Sequence, residues 1–168
     1  MKPDRARVMS EGLITGLIGY VVIVLFYGIF NVITGQSFFS TAAHLGAGLA
    51  SSSGSGSAVG SVLAFNGLHV IAFLLVGLVA AWIVMQTERH PNFFVLALFI
   101  GIAGLFGIMA GFLSFAARSG IELPIGSVFA ANLLAGVAMG AYLLKAHPRL
   151  WAEVRDHLDP ETEHPVPH

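Results

Sequence analysis

Four long apolar segments dominate the chain, at about 12–34, 62–86, 93–117 and 125–145. Each is long enough to cross the hydrocarbon core of a bilayer as a helix, which takes about 20 apolar residues. Apart from Lys145 at the last boundary, these segments contain no Lys, Arg, Asp or Glu. We therefore predict an all-α integral membrane protein built as a bundle of four transmembrane helices.

The composition supports a membrane protein and excludes several other classes. Of the 168 residues, 56% are hydrophobic and 10% are charged, whereas a soluble domain has about a quarter charged residues. The chain has no cysteine, which excludes disulfides, cysteine-bound zinc and iron–sulfur clusters. A formal net charge of -1 gives no reason to expect nucleic acid as a partner.

The basic residues predict the orientation in the membrane. With both termini in the cytoplasm, all but Arg118 of the eight basic residues fall on the cytoplasmic side. Cytoplasmic loops of membrane proteins carry an excess of Lys and Arg. We therefore expect a bacterial-type plasma (inner) membrane protein with both termini inside. The residues on that side are Lys2, Arg5, Arg7, Arg89, Lys145, Arg149 and Arg155.

The spans divide the chain into three parts. Residues 1–11 form a cytoplasmic N-terminus, and residues 12–146 form a single transmembrane domain with a long outer loop at 35–61. Residues 147–168 form a second cytoplasmic segment that ends in an acidic, proline-containing tail. A tail of that composition is expected to be disordered.

Two short segments outside the spans have the pattern of amphipathic helices. In the outer loop, Ser40, Thr41 and His44 recur at helical spacing, which predicts a helix at about 37–50 on the outer membrane surface. A similar pattern predicts a cytoplasmic interfacial helix at about 149–158.

Small residues recur every four positions along three of the predicted spans. Such ridges let helix backbones approach closely, which drives association where lipid supplies no hydrophobic force. Two interpretations remain open: the ridges pack the bundle internally, or at least one of them docks a helix of another protein. The residues are Gly12 and Gly16 in the first span, Ala103, Gly107 and Gly111 in the third, and Asn132, Gly136 and Gly140 in the fourth.

Histidine is the first candidate for site chemistry, because polar side chains within a span are costly and often functional. His69 lies in the second span with Asn66 one helical turn before it, and His44 is expected on the same side of the membrane. His69 alone, or His69 with His44, is a candidate ligand for haem or a chlorophyll-type pigment. The alternative is that His69 and Asn66 form hydrogen bonds between helices.

The remaining polar residues of the spans restrict where a site is expected. Asn31, Ser114 and Asn132, like Asn66 and His69, fall in the outer third of the predicted spans. Any buried polar site is therefore expected to open toward the outside. A conducted pathway needs polar groups at several depths, so a small transporter or channel is the weaker alternative.

No catalytic constellation or metal-binding motif accompanies these features. We therefore expect a non-catalytic accessory subunit that packs against other integral membrane proteins and lipid, and that stabilises a larger respiratory or photosynthetic complex. No cofactor is predicted for that role. The alternative from a different class is a haem- or pigment-binding membrane protein that uses His69.

Overall fold

A computed structural model describes three continuous segments of the chain and a set of scattered positions. These are residues 5–50, 57–89, 124–148 with position 152, and scattered positions between 99 and 117. The described residues are helical or lie in turns and helix ends, and no strand occurs among them. The prediction of an all-α protein is therefore confirmed for the described residues.

Four helices have described boundaries. They are α1 (Arg5–Ile33), α2 (Ser40–Ala50), α3 (Ala58–Arg89) and α4 (Ile125–Ala146). Three of them, α1, α3 and α4, are long and apolar enough to cross a membrane, as the hydropathy pattern predicts. The short helix α2 falls within the stretch predicted to be helical at 37–50.

Two predicted helices lie largely outside the described residues. The third predicted span is 93–117. The structure describes scattered positions of it from 99 onward, and each of these positions is helical. The predicted interfacial helix at 149–158 lies outside the described residues except at position 152.

Local sequence explains where α1 and α4 end or begin. Gly35, just beyond α1, has a φ of 77°. Glycine adopts this backbone conformation readily, whereas a residue with a Cβ does so only at a cost in free energy. The next amide, of Gln36, donates to the carbonyl of Asn31 at 2.8 Å, the pattern of a Schellman C-cap. Pro124 precedes the first residue of α4, and its carbonyl accepts from the backbone amide of Ser127 at 2.9 Å.

Helix α1 forms the axis of the bundle, and α3 and α4 both pack against it while making little contact with each other. A Cβ added to Gly12 would lie 2.7 Å from the Cα of Leu78, and one on Gly16 would lie 2.5 Å from the carbonyl oxygen of Phe73. The start of α1 therefore meets the later part of α3, so the two helices are antiparallel. At these glycines the two backbones pack directly against each other.

The contact between α1 and α4 uses larger side chains. Ile23 of α1 is buried in one cluster with Ala131 and Ala135 of α4. A Cβ on Gly19 would lie 2.5 Å from the sulfur of Met139. Because later residues of α4 meet earlier residues of α1, α4 also runs antiparallel to α1.

These directions give the bundle two distinct ends. At the first, which we call the α2 end, α1 finishes, α2 lies against α3, and α3 and α4 begin. At the second, which we call the opposite end, α1 begins and α3 and α4 finish. Between the two ends, large apolar side chains such as Leu17, Leu25 and Ile71 are exposed, as expected for surfaces that face lipid tails.

The close approach of α1 and α3 makes a direct prediction for Gly16→Leu. The added side chain would enter the space of the Phe73 carbonyl and the Leu74 Cα, so the two helices must separate. We expect a loss of about 2 kcal/mol of stability, the usual cost of overpacking, measured as a lower thermal midpoint by circular dichroism in detergent.

The matched control for that experiment is Gly67→Leu on α3. Gly67 is exposed, and a Cβ there meets no described atom within 4 Å. Its thermal midpoint should stay near that of the unaltered protein. Equal midpoints for the two variants would show that the glycine contact between α1 and α3 is not required.

Candidate functional site

A pocket of about 630 Å³ lies between α1, α3 and α4, and α2 contributes to its wall at one end. Its volume is in the range of ordinary small-molecule sites, which hold about 300–1,000 Å³. Met109 of the third predicted span also lines it. The pocket exists because α3 and α4 both contact α1 but scarcely contact each other.

The polar side chains of the pocket are concentrated toward the α2 end. The part of the wall nearer the opposite end is apolar and includes Ala80, Met139 and Leu143. The pocket therefore has a polar end and an apolar end. The described polar residues on its wall are Tyr27, Asn31, Thr41, Asn66, His69 and Asn132.

Asn31 joins the end of α1 to the chain around α2. Its side chain is buried, its Nδ2 donates to the carbonyl of Phe38 at 3.1 Å, and its Oδ1 accepts from the Thr41 hydroxyl at 2.9 Å. A buried carboxamide without hydrogen-bond partners at this position would lower the stability of the fold. Both of its polar atoms are satisfied, so Asn31 acts here as a structural connection.

Asn66 and Asn132 are held in part by their own helices. Asn66 Nδ2 donates to the carbonyl of Val62 at 2.8 Å, and its Oδ1 accepts from the hydroxyl of Tyr20 on α1 at 3.0 Å. Asn132 Nδ2 donates to the carbonyl of Val128 at 2.8 Å. The Tyr20–Asn66 bond is an interhelical hydrogen bond of the kind that stabilises helix pairs in membranes.

The structure places the two candidate histidines in different surroundings. The half-buried ring of His69 lines the pocket and lies between the rings of Phe65 and Phe73, with centroid distances of 4.8 and 5.6 Å. His44 is exposed, its Nδ1 is 3.4 Å from the Ser40 hydroxyl, and it is not among the residues that line the pocket. The pocket wall therefore offers His69 but not the His44–His69 pair.

The three small-residue ridges also have three different surroundings. Gly12 and Gly16 face α3, as described above. Asn132, Gly136 and Gly140 line the pocket, and a Cβ on either glycine meets no described atom within 4 Å. Ala103, Gly107 and Gly111 are exposed, and a Cβ on either of these glycines likewise meets no described atom.

A second group of polar side chains lies at the opposite end of the bundle. His147, which follows α4, is fully buried, and its Nε2 lies 2.7 Å from Oε2 of Glu11 on α1. Its Nδ1 lies 2.9 Å from Oε1 of Glu88 on α3, within ion-pair distance but without hydrogen-bond geometry. Arg7 Nε donates to Glu11 Oε1 at 2.7 Å. We call Arg7, Glu11, Glu88 and His147 the His147 cluster.

The His147 cluster corrects the expectation that buried polar sites lie only toward the outer end of the spans. Glu11, Glu88 and His147 come from the ends of three helices, and they meet only because α1 is antiparallel to α3 and α4. His147 before Pro148 marks the end of a helix in the sequence, but nothing local to it indicates its carboxylate partners. Among the described residues, no group is arranged to hold a metal ion.

Comparisons of the chain with models of known protein families, with curated proteins and with solved structures find no match.

The His147 cluster predicts a strong effect for His147→Ala. The change removes a fully buried side chain and leaves Glu11 and Glu88, whose side chains are 13% and 22% exposed, without their shared partner. Removing a large buried side chain together with its hydrogen bond to a carboxylate costs about 2 kcal/mol or more. We expect a clearly lower thermal midpoint in detergent.

His44→Ala provides the matched control, because His44 is exposed and its Nδ1 lies 3.4 Å from the Ser40 hydroxyl, at the limit of a hydrogen bond. Its midpoint should change little. If His147→Ala were no less stable than His44→Ala, the cluster would not be holding the three helix ends together.

Proposed function

We propose that this chain is a non-catalytic subunit of the membrane that packs against other integral membrane proteins and stabilises a larger complex, of a respiratory or photosynthetic kind. The observation that supports this most is the exposed ridge formed by Ala103, Gly107 and Gly111. Small residues at this spacing are typical of helix–helix contacts in membranes.

The ridge at Ala103, Gly107 and Gly111 faces away from the bundle interior. Met109 lines the pocket, and at 100° per residue it lies about 160° around a helix from both Gly107 and Gly111. A helix that turns Met109 inward therefore turns this ridge outward. The ridge of α1 is already occupied by α3, and the ridge of α4 lines the pocket, so the outward ridge is the one that we propose meets a helix of another protein.

The proposed arrangement has four transmembrane helices, and the directions of α3 and α4 support it. Helix α3 ends at the opposite end of the bundle, whereas α4 begins at the α2 end. A helix between them that returned the chain to the α2 end would give the proposed fourth crossing. The third predicted span, 93–117, is long enough, since 25 helical residues extend about 37 Å and a hydrocarbon core measures about 30 Å.

The distribution of basic residues supports a cytoplasmic location for both termini in this proposal. Arg5 and Arg7 at the start of α1, Arg89 at the end of α3 and Lys145 at the end of α4 all belong to the opposite end. By the positive-inside rule, that end faces the cytoplasm of a plasma membrane.

Cysteine labelling tests the topology directly, because the chain has no cysteine of its own. Ser57→Cys, before α3, should react with a membrane-impermeant maleimide in intact cells. Ser10→Cys, near the start of α1, should react only after the cells are permeabilised. Both serines are exposed. Labelling of Ser10→Cys in intact cells would contradict the proposed orientation.

Co-purification from the native membrane tests the docking proposal. We expect the amount of co-purifying membrane protein to fall at least tenfold in Gly107→Leu, because the larger side chain blocks close backbone approach. Its thermal midpoint when purified alone should not fall. Gly101→Leu, about 120° around the same helix and also exposed, is the control and should retain the partner.

Two outcomes would contradict the docking proposal. The unaltered protein could run only as a monomer and isolate with no membrane protein at all. Alternatively, Gly107→Leu could retain the same partner in the same amount as Gly101→Leu.

Ligation of a haem or chlorophyll-type pigment by His69 is the second candidate function, favoured by the position of its ring on the pocket wall. A single histidine suffices for a pigment of that type, whereas a haem with two histidine ligands needs a second one on a facing element. His44 does not fill that position.

A further inference from the structure

Three asparagines of the described chain line the pocket, and they differ in how much of their hydrogen-bonding capacity is used. The carboxamides of Asn31 and Asn66 each use both the nitrogen and the oxygen. Asn132 uses only its Nδ2, which donates to the carbonyl of Val128 at 2.8 Å. Because a backbone carbonyl can only accept, the atom that faces it is the nitrogen. The Oδ1 of Asn132 is therefore left without a donor among the described residues.

A molecule in the pocket can reach this oxygen. The side chain of Asn132 is partly exposed and lines the pocket, and its Oδ1 is not enclosed by the protein. Gly136, one turn later on α4, is exposed and lines the same pocket, so the pocket communicates with the surface of the bundle. Lipid tails supply no hydrogen-bond donor, so a carboxamide oxygen among them lowers stability until a donor binds to it.

The shape of the pocket indicates what a bound donor looks like. On α4 the wall from Asn132 to Leu143 is otherwise apolar over 11 residues, or about 16 Å. Within it, a Cβ on Gly136 or Gly140 meets no described atom within 4 Å. The wall that α3 contributes beyond His69 is apolar as well. The pocket therefore suits an elongated apolar tail that extends from a polar head at Asn132.

The charge and the hydrogen-bonding groups of the wall restrict that head. Among the described residues that line the pocket, none is Lys, Arg, Asp or Glu, so an ionised head would lack a counter-charge, which is strongly unfavourable. The carboxamide of Asn132 offers the acceptor Oδ1 and one N–H beyond the one that binds Val128. A hydroxyl is a small neutral group that can donate to the first and accept from the second.

We propose that this pocket binds a neutral lipid with a free hydroxyl, which donates a hydrogen bond to Oδ1 of Asn132, and that its apolar tail lies along Gly136 and Gly140 toward Leu143. Acylglycerols and isoprenoid alcohols share this chemistry. The proposal is independent of whether the ridge at Gly107 docks a partner.

Binding is tested with the full chain in detergent, by native mass spectrometry over a range of probe concentrations. Two probes carry the hydroxyl, monodecanoylglycerol and farnesol, and the one that binds more tightly identifies the source of the head. Methyl decanoate is the matched probe, with the same apolar tail and an acceptor but no donor. We expect saturable binding of a hydroxyl probe, and methyl decanoate should bind about fivefold more weakly than monodecanoylglycerol, the effect of one neutral hydrogen bond.

Two variants test the proposed contacts. Asn132→Leu removes the carboxamide, so the difference between monodecanoylglycerol and methyl decanoate should disappear. Its thermal midpoint should not fall, because the Asn132 side chain bonds only within its own helix. Gly136→Leu should remove binding of all three probes by occupying the tail region. Gly126→Leu, exposed on α4 but not on the pocket wall, is the matched control and should bind as the unaltered chain does.

Three results would overturn the proposal. Equal binding of the hydroxyl probes by the unaltered chain, Asn132→Leu and Gly136→Leu would show that the probes associate with the detergent-covered surface. Absence of saturable binding of either hydroxyl probe would exclude this ligand class. Binding of haemin with a Soret band that disappears in His69→Ala, and that displaces both hydroxyl probes, would assign the pocket to a tetrapyrrole.

Discussion

The close contact between α1 and α3 is the constraint on which the rest of the bundle depends. Gly77 of α3 faces the backbone of Gly12 and Gly16, so that a Cβ at Gly77 would collide with both. Because lipid tails are as apolar as leucine side chains, such packing replaces the hydrophobic effect as the source of helix association. With α3 fixed on one side of α1, α4 packs on α1 through Ile23 and its neighbours, and the pocket lies between α3 and α4.

Polar contacts at the two ends of the bundle complement this glycine contact. At the α2 end, Asn31 connects α1 to Thr41 and the chain before α2. At the opposite end, His147 connects the last turn of α4 to Glu11 and Glu88. The middle of the bundle has no comparable charged group among the described residues.

Hydropathy predicted the helices because a membrane imposes one simple requirement, about 20 apolar residues for each span. The limits of α1, α3 and α4 follow that signal together with Gly35 and Pro124. The His147 cluster was not predictable in the same way. Glu11 and His147 are 136 positions apart, and their contact depends on helix directions and rotations that hydropathy does not contain. The same is true of the pocket, whose wall combines residues from every described helix.

The small-residue ridges show why spacing identifies a surface without identifying what lies against it. The ridge at Gly12 and Gly16 meets α3, while the similar ridge at Gly136 and Gly140 lines a pocket. Had α3 approached α4 as closely as it approaches α1, the second ridge would be filled by a helix. Because α1 holds α3 and α4 apart, that ridge lines the pocket instead. The outward ridge at Gly107 is then the remaining surface of this kind among the described residues, and it is the one that we propose docks a helix from another protein.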